Sequence, residues 1–251
     1  MGYLKAVALF GALLFFGSCS MILSLFRWGD TRLNRTFLQP FGKAAFWIVG
    51  IQYEVLHLER TLKVRPSILV GNHQSGLDLA VMGSICPDST VIVGKKEIQY
   101  IPIFGWFFKA AGNLLIDRAK TKDAKAQMDE IRNTMTEKNL NMAIFPEGTR
   151  NRHSAGNDGL LPFKKGAFFL AVSTGFPIIP VVSSSLKGKG VWENFDLAGG
   201  RVIVSVLEPI ETKNVKPEAM EEFKEHVRGL MIQEYKRINL LLAVDEAKAR
   251  A

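Results

Sequence analysis

The pattern of apolar and polar positions divides the chain into an apolar N-terminal region and a longer region in which short apolar runs alternate with amphipathic stretches. Ala6 to Phe26 is an uncharged, largely apolar run of 21 residues. As a helix it measures about 31 Å, the thickness of a bilayer's hydrocarbon core, so it predicts a membrane segment. Only Lys5 precedes it, whereas Arg27, Arg32, Arg35 and Lys43 follow. That asymmetry favours a retained anchor with the main domain on the cytoplasmic side. A second apolar stretch, Phe41 to Tyr53, contains Lys43 and is too short to cross a bilayer alone. It fits a helix at headgroup depth or a core helix of the following domain.

Beyond residue 60 the period changes. Ile68 to Val70, Thr90 to Val93, a segment within Gly112 to Arg118, Met142 to Phe145, Pro177 to Val182 and Arg201 to Val206 read as short apolar strands. Between them lie helical patterns: Leu77 to Met82, a stripe of Ala124, Met128, Ile131 and Met135, then Ala167 to Thr174. A final helix, Glu218 to Leu242, carries Met220, Phe223, Val227, Leu230 and Met231 on one face. This alternation predicts an α/β fold, a mixed central sheet flanked by helices, with a membrane-associated helical segment at its N-terminus. Residues 1–60 are expected to form the anchor and interfacial helix, and residues 61–251 the catalytic domain.

Composition narrows the partners. The 251 residues carry a formal charge of +8, which favours anionic ligands: phosphorylated metabolites, acidic membranes or nucleic acid. The basic residues sit among strand-end turns rather than in a nucleic-acid recognition module, so nucleic acid is not expected. Two cysteines, Cys19 and Cys86, form no disulfide framework, and four scattered histidines form no ligand cluster. No metal and no bound cofactor is predicted.

The candidate chemistry begins where the first of these strands ends. After Ile68-Leu69-Val70 come Gly71-Asn72-His73-Gln74-Ser75-Gly76-Leu77-Asp78, which places a histidine and an aspartate five residues apart. On one helix such positions are rotated by about 140° and do not face each other, so the chain must turn between them. With His73 on the loop and Asp78 in the first turn of the next helix, with Ser75 as its cap, the carboxylate reaches back to one ring nitrogen. The other nitrogen is then free to act as a base, and N–H groups at the helix start become available to a developing oxyanion. Spacing alone does not separate this arrangement from a surface-loop histidine beside a helix-terminal aspartate. Met142 to Phe145 ends in a similar turn, Pro146-Glu147-Gly148-Thr149-Arg150, and two such turns point to one shared sheet edge.

Four blocks in order, His73-x4-Asp78, Gly112-Asn113-Leu114-Leu115-Ile116-Asp117-Arg118, Phe145-Pro146-Glu147-Gly148-Thr149-Arg150 and Ile178-Ile179-Pro180-Val181, resemble the glycerolipid acyltransferase family. Within it they are similar to the bacterial enzymes that acylate 1-acyl-sn-glycerol 3-phosphate, or lysophosphatidic acid. The resemblance covers roughly residues 65 to 210. It implies that His73 deprotonates the acceptor hydroxyl, that Asp78 orients His73, and that the donor is acyl-CoA or acyl carrier protein. It further implies a phosphate-binding group of Arg118, Arg150, Thr149 and the backbone of Gly148, joined by Lys95 or Lys96 and by Glu147. Arginine suits that task because its planar fork bonds two phosphate oxygens. Pro180 falls in the block associated with the donor. A related acyltransferase using glycerol 3-phosphate or another lysophospholipid, or a non-catalytic adaptor that binds anionic lipid, is the alternative. The implied location is the cytoplasmic face of a bacterial inner membrane.

Overall fold

The computed structural model describes residues 2–116, 124–151, 159–187, 189 and 197–250. Its centre is a seven-stranded sheet in the order β1-β7-β6-β2-β5-β3-β4. In chain order the strands are β1 (Ile51–Leu56), β2 (Ile68–Gly71), β3 (Thr90–Lys95), β4 (Leu114–Ile116), β5 (Asn141–Ile144), β6 (Ile178–Ser183) and β7 (Gly200–Val206). Every neighbouring pair is parallel except β6 and β7. Parallel strands buried on both faces need apolar side chains at successive positions, which is why β2 and β6 read as unbroken apolar runs.

The two-residue period sorts those side chains into two cores. Leu69, Ala143, Ile179 and Val181 face one side, where they meet α2 (Arg32–Val49) and α3 (Asp78–Ile85). Ile68, Val70, Met142, Ile178 and Val182 face the other, which α5 (Ala124–Glu137), α6 (Gly166–Thr174) and α7 (Met220–Arg250) cover. A short helix, α4 (Phe104–Ala110), lies near the β3 and β4 edge.

The second apolar stretch is divided between two elements. α2 ends at Gly50, whose left-handed φ of 82° allows a turn that L side chains resist, and β1 begins at the next residue. Phe37, Phe41 and Phe46 of α2 are buried in the first core, which settles this helix as a core element. β1 pairs with β7 along its whole length, so residues 1–60 and 61–251 share one sheet and one core.

The N-terminal run forms α1 (Gly2–Phe26), which doubles back on α2 as an antiparallel hairpin. Leu9, Gly17, Ser20 and Ser24 face inward. Lys5 Nζ donates to the carbonyls of Val49 and Leu197 at 2.8 and 2.9 Å, so the first turn is tied to the domain. Beyond the middle of the helix, Gly17 lies against Ile103. The opposite face is apolar and exposed: Val7, Phe10, Phe15, Ile22 and Phe26, the last 84% exposed, lie uncovered among the described residues.

Candidate active site

β2 and β5 are parallel neighbours, with Val70 level with Ile144, so the chain leaves both strands at the same sheet edge. His73 therefore meets the Phe145 to Arg150 turn. β3 pairs with β5 on its far side, and Lys95 and Lys96 leave that strand toward the same edge. This is the convergence of strand-end loops in which open α/β folds place ligands.

The residues flanking His73 are fixed first. Asn72 exchanges two hydrogen bonds with the main chain of Ser183, its Nδ2 donating to the carbonyl at 3.0 Å and its Oδ1 accepting from the N–H at 2.8 Å. Gln74 donates to Ser183 Oγ and to the Ser184 carbonyl, both at 3.0 Å, and accepts from the Leu186 N–H. These buried amides bind the loop to the end of β6, so His73 projects from a braced segment.

His73 Nδ1 lies 2.5 Å from Asp78 Oδ2. The same oxygen accepts the main-chain N–H groups of Gln74 and Ser75 at 2.8 and 2.9 Å. Asp78 opens α3 as predicted, but the cap position is Leu77 rather than Ser75, whose Oγ instead accepts the Leu77 N–H at 3.0 Å before the helix begins. The N–H groups of Gln74 and Ser75 are thus committed to the orienting carboxylate, so of the N–H groups in this turn those two are not available to an oxyanion. With a proton on Nδ1 facing Asp78, the Nε2 lone pair is the basic one. Nε2 has no hydrogen-bond partner among the described residues, and the side chain is 20% exposed. An imidazole so held can accept a proton from a hydroxyl brought to it.

The turn after β5 grips His73 at three points. Phe145 stacks on its ring, Glu147 Oε1 accepts its main-chain N–H at 2.7 Å, and its carbonyl accepts the Asn151 N–H at 2.8 Å. Glu147 Oε2 accepts the Leu161 N–H at 2.8 Å. Glu147 is 2% exposed, and burial pushes its carboxyl up to about 7 against the opposing pull of the two N–H donors. Both of its oxygens serve main-chain donors. Glu147 thereby braces the histidine loop.

Gly148 adopts a left-handed φ of 69°, and its N–H returns to the Phe145 carbonyl at 3.1 Å. That tight turn carries Thr149 outward, exposed, with Arg150 half-buried beside it. Lys95 and Lys96 are exposed. Arg118 lies outside the described residues. Pro180 is buried in β6 level with Val70. Sequence reasoning missed Asn72, Gln74 and Asn151. The available signal was a pair of side-chain amides flanking a histidine at the exit of a buried strand.

Residues 52–184 match the family model described as Acyltransferase. The chain is 34% identical to the 1-acyl-sn-glycerol-3-phosphate acyltransferase of Escherichia coli over 94% of this chain and 92% of that one. It is 37% identical to the Haemophilus influenzae enzyme of the same name, over 76% of this chain and 77% of that one. The Saccharomyces cerevisiae enzyme is 34% identical, over 79% of this chain, which spans 65% of the yeast protein's length. In fold it matches the crystal structure of the LPA acyltransferase PlsC from Thermotoga maritima, with a TM-score of 0.73 at 21% identity, covering 94% of this chain and 96% of that one. With the bacterial relative matched almost end to end and a histidine–aspartate pair just beyond the C-terminal end of β2, the chain belongs to the 1-acyl-sn-glycerol-3-phosphate acyltransferase family.

Proposed function

We propose that this protein transfers a fatty acyl group from a thioester donor, acyl-CoA or acyl carrier protein, to the free 2-hydroxyl of 1-acyl-sn-glycerol 3-phosphate, giving phosphatidic acid. The observation that carries the reading is the oriented imidazole, bonded to Asp78 through Nδ1 and open at Nε2. Nε2 takes the hydroxyl proton as the oxygen attacks the thioester carbon. The tetrahedral intermediate collapses, the C–S bond breaks, and the departing sulfur receives the proton from the imidazolium. Ester and free thiol are the products, and His73 returns to its starting state. No covalent acyl-enzyme is needed.

The acceptor's phosphate is assigned to Arg150, Thr149, the Gly148 backbone and Lys95 or Lys96, which leave the sheet at the edge where His73 sits. Arg118 of the second block is assigned to the same group by its motif. Guanidinium and ammonium groups there favour a dianionic headgroup, and a phosphate held at that distance from the reacting hydroxyl turns binding into orientation.

The exposed apolar face of α1 is assigned to the membrane that holds substrate and product. Because the first turn of α1 is fixed to Val49 and Leu197 while Gly17 lies on Ile103, the helix runs along the domain. Such a hairpin lies in one leaflet with its outer face in the acyl region. The basic residues after α1 support a cytoplasmic position at a bacterial inner membrane. In this reading residues 1–60 supply most of the membrane contact and residues 61–251 the chemistry.

An acceptor panel tests the assignment. Purified protein in mixed micelles, given acyl-CoA or acyl carrier protein donor, is expected to form phosphatidic acid from lysophosphatidic acid and no product from glycerol 3-phosphate. Preferential acylation of glycerol 3-phosphate would overturn the acceptor assignment.

A further inference from the structure

The main chain around His73 is tied to a part of the molecule far from the matched blocks. Glu147 holds the His73 N–H with one oxygen and the Leu161 N–H with the other. The Leu160–Leu161 segment is in turn held by α7. Arg228 Nε donates to the Leu161 carbonyl at 3.1 Å and its Nη2 to the Leu160 carbonyl at 2.9 Å. Its side chain is only 20% exposed, and Glu225 approaches it no closer than 3.8 Å, so among the described residues the two carbonyls are its principal partners. Two helical turns further on, Tyr235 packs against Gly159, where a Cβ would lie 2.2 Å from the ring. Asn151 closes the loop, its N–H on the His73 carbonyl and its Nδ2 on the Gly159 carbonyl at 3.2 Å.

We propose that Arg228 is a positioning residue for the general base, acting through the Leu160 and Leu161 carbonyls and the Glu147 carboxylate to fix the main chain of His73. The inference rests on His73 as the base. Arg228 touches neither His73 nor Asp78, and it lies outside residues 52–184 of the family match. Its two N–H groups fix the peptide units on either side of Leu161, and the Leu161 N–H fixes one oxygen of Glu147. The other oxygen sets the height of His73 above β2. Removing the guanidinium leaves two carbonyls without their donor and frees the 159–161 segment to shift, and Glu147 shifts with it. Displacement of a base by about 1 Å lowers turnover by up to about a hundredfold without altering substrate contacts.

A role confined to docking α7 makes a different prediction, since it would lower stability and leave kcat unchanged. The full-length protein in detergent separates the two. Arg228→Met is expected to lower kcat about tenfold or more, with the KM for lysophosphatidic acid within about twofold of wild type. Arg228→Lys, which can satisfy one carbonyl, is expected to recover part of that loss. Val227→Ala removes packing from the adjacent, fully buried position of α7. It is expected to lower the melting temperature at least as far while retaining wild-type kcat. Combined with Glu147→Gln, Arg228→Met is expected to add little to the loss from Glu147→Gln alone, because both break one chain of bonds. Wild-type kcat in folded Arg228→Met, equal loss in Val227→Ala, or multiplicative losses in the double variant would overturn the proposal. His73→Ala in the same series keeps the failures apart. If it is silent while the Arg228 variants are active, only the positioning role falls; if it is active, the assignment of the base falls.

Discussion

Phe145 and His73 lie face to face, their ring centroids 4.4 Å apart and their planes 15° from parallel. The two rings arrive from neighbouring strands, Phe145 directly after β5 and His73 two residues after β2. Gly71 makes room for the pair, because a Cβ there would come within 3.2 Å of the Phe145 ring. The imidazole is therefore constrained in plane by Phe145 and in rotation by Asp78.

Gly71→Ala tests that constraint. The added methyl must displace Phe145, an overpacking that costs about 1–3 kcal/mol of stability. Because the displaced ring is the one on which His73 rests, kcat is expected to fall as well, while Phe145→Leu lowers kcat with a smaller loss of stability. Denaturant melts and steady-state kinetics on both variants check this. Unchanged kcat in both would show that stacking does not set the ring.

Glu147 gives stability a pH dependence of known sign. Its carboxyl is raised from 4.5 to about 7 by burial, so between those values the folded state holds a proton that the unfolded chain has released. Its contribution to stability is fully present at low pH and is lost as pH rises through the folded value, a change of roughly 3 kcal/mol in all. The difference in unfolding free energy between wild type and Glu147→Gln is expected to shift against wild type from about pH 4.5 to 7.5 and to level off above. A difference constant over that range would contradict the buried, proton-linked carboxyl.

Arg150→Ala is expected to raise the KM for lysophosphatidic acid and lower kcat/KM by about tenfold to a hundredfold, the range for loss of a charge-assisted bond to phosphate. Donor KM is expected to stay near wild type. Kinetics with each substrate varied in turn make the comparison, and an effect confined to the donor would place Arg150 elsewhere.

On α1, Phe10→Glu and Phe26→Glu replace exposed rings on the outer face. A buried phenylalanine contributes about 1.5–3 kcal/mol, so partition onto anionic vesicles is expected to fall more than tenfold for the pair. Sedimentation with vesicles measures it. Unchanged partition would remove α1 from the membrane contact.

The strands of the sheet centre were legible because burial on both faces leaves β2, β5 and β6 as short apolar runs between turn residues. The start of β1 was hidden inside Phe41 to Tyr53, where the chain changes from helix to strand at Gly50 with no change in apolarity. Whether α2 faced lipid or core was equally hidden, since Phe37 and Phe46 are buried and Trp47 exposed on one helix. The contact of His73 with Asp78 was legible only when the spacing, which demands a turn, was combined with the other three blocks. Glu147 was not, because beside Arg150 it reads as one charge near another, whereas its partners are main-chain N–H groups that leave no trace in the sequence. Arg228 reads as a solvated helix charge for the same reason, its acceptors being carbonyls 67 and 68 residues upstream.

The central claim is that His73 activates the acceptor hydroxyl, and thiol release from acyl-CoA or acyl carrier protein, measured with and without lysophosphatidic acid for wild type and His73→Ala, tests it most directly. Release is expected only when acceptor and His73 are both present, with His73→Ala slower by about 10²–10⁴-fold and lipid binding retained. Acceptor-dependent release at the wild-type rate from His73→Ala would contradict the account.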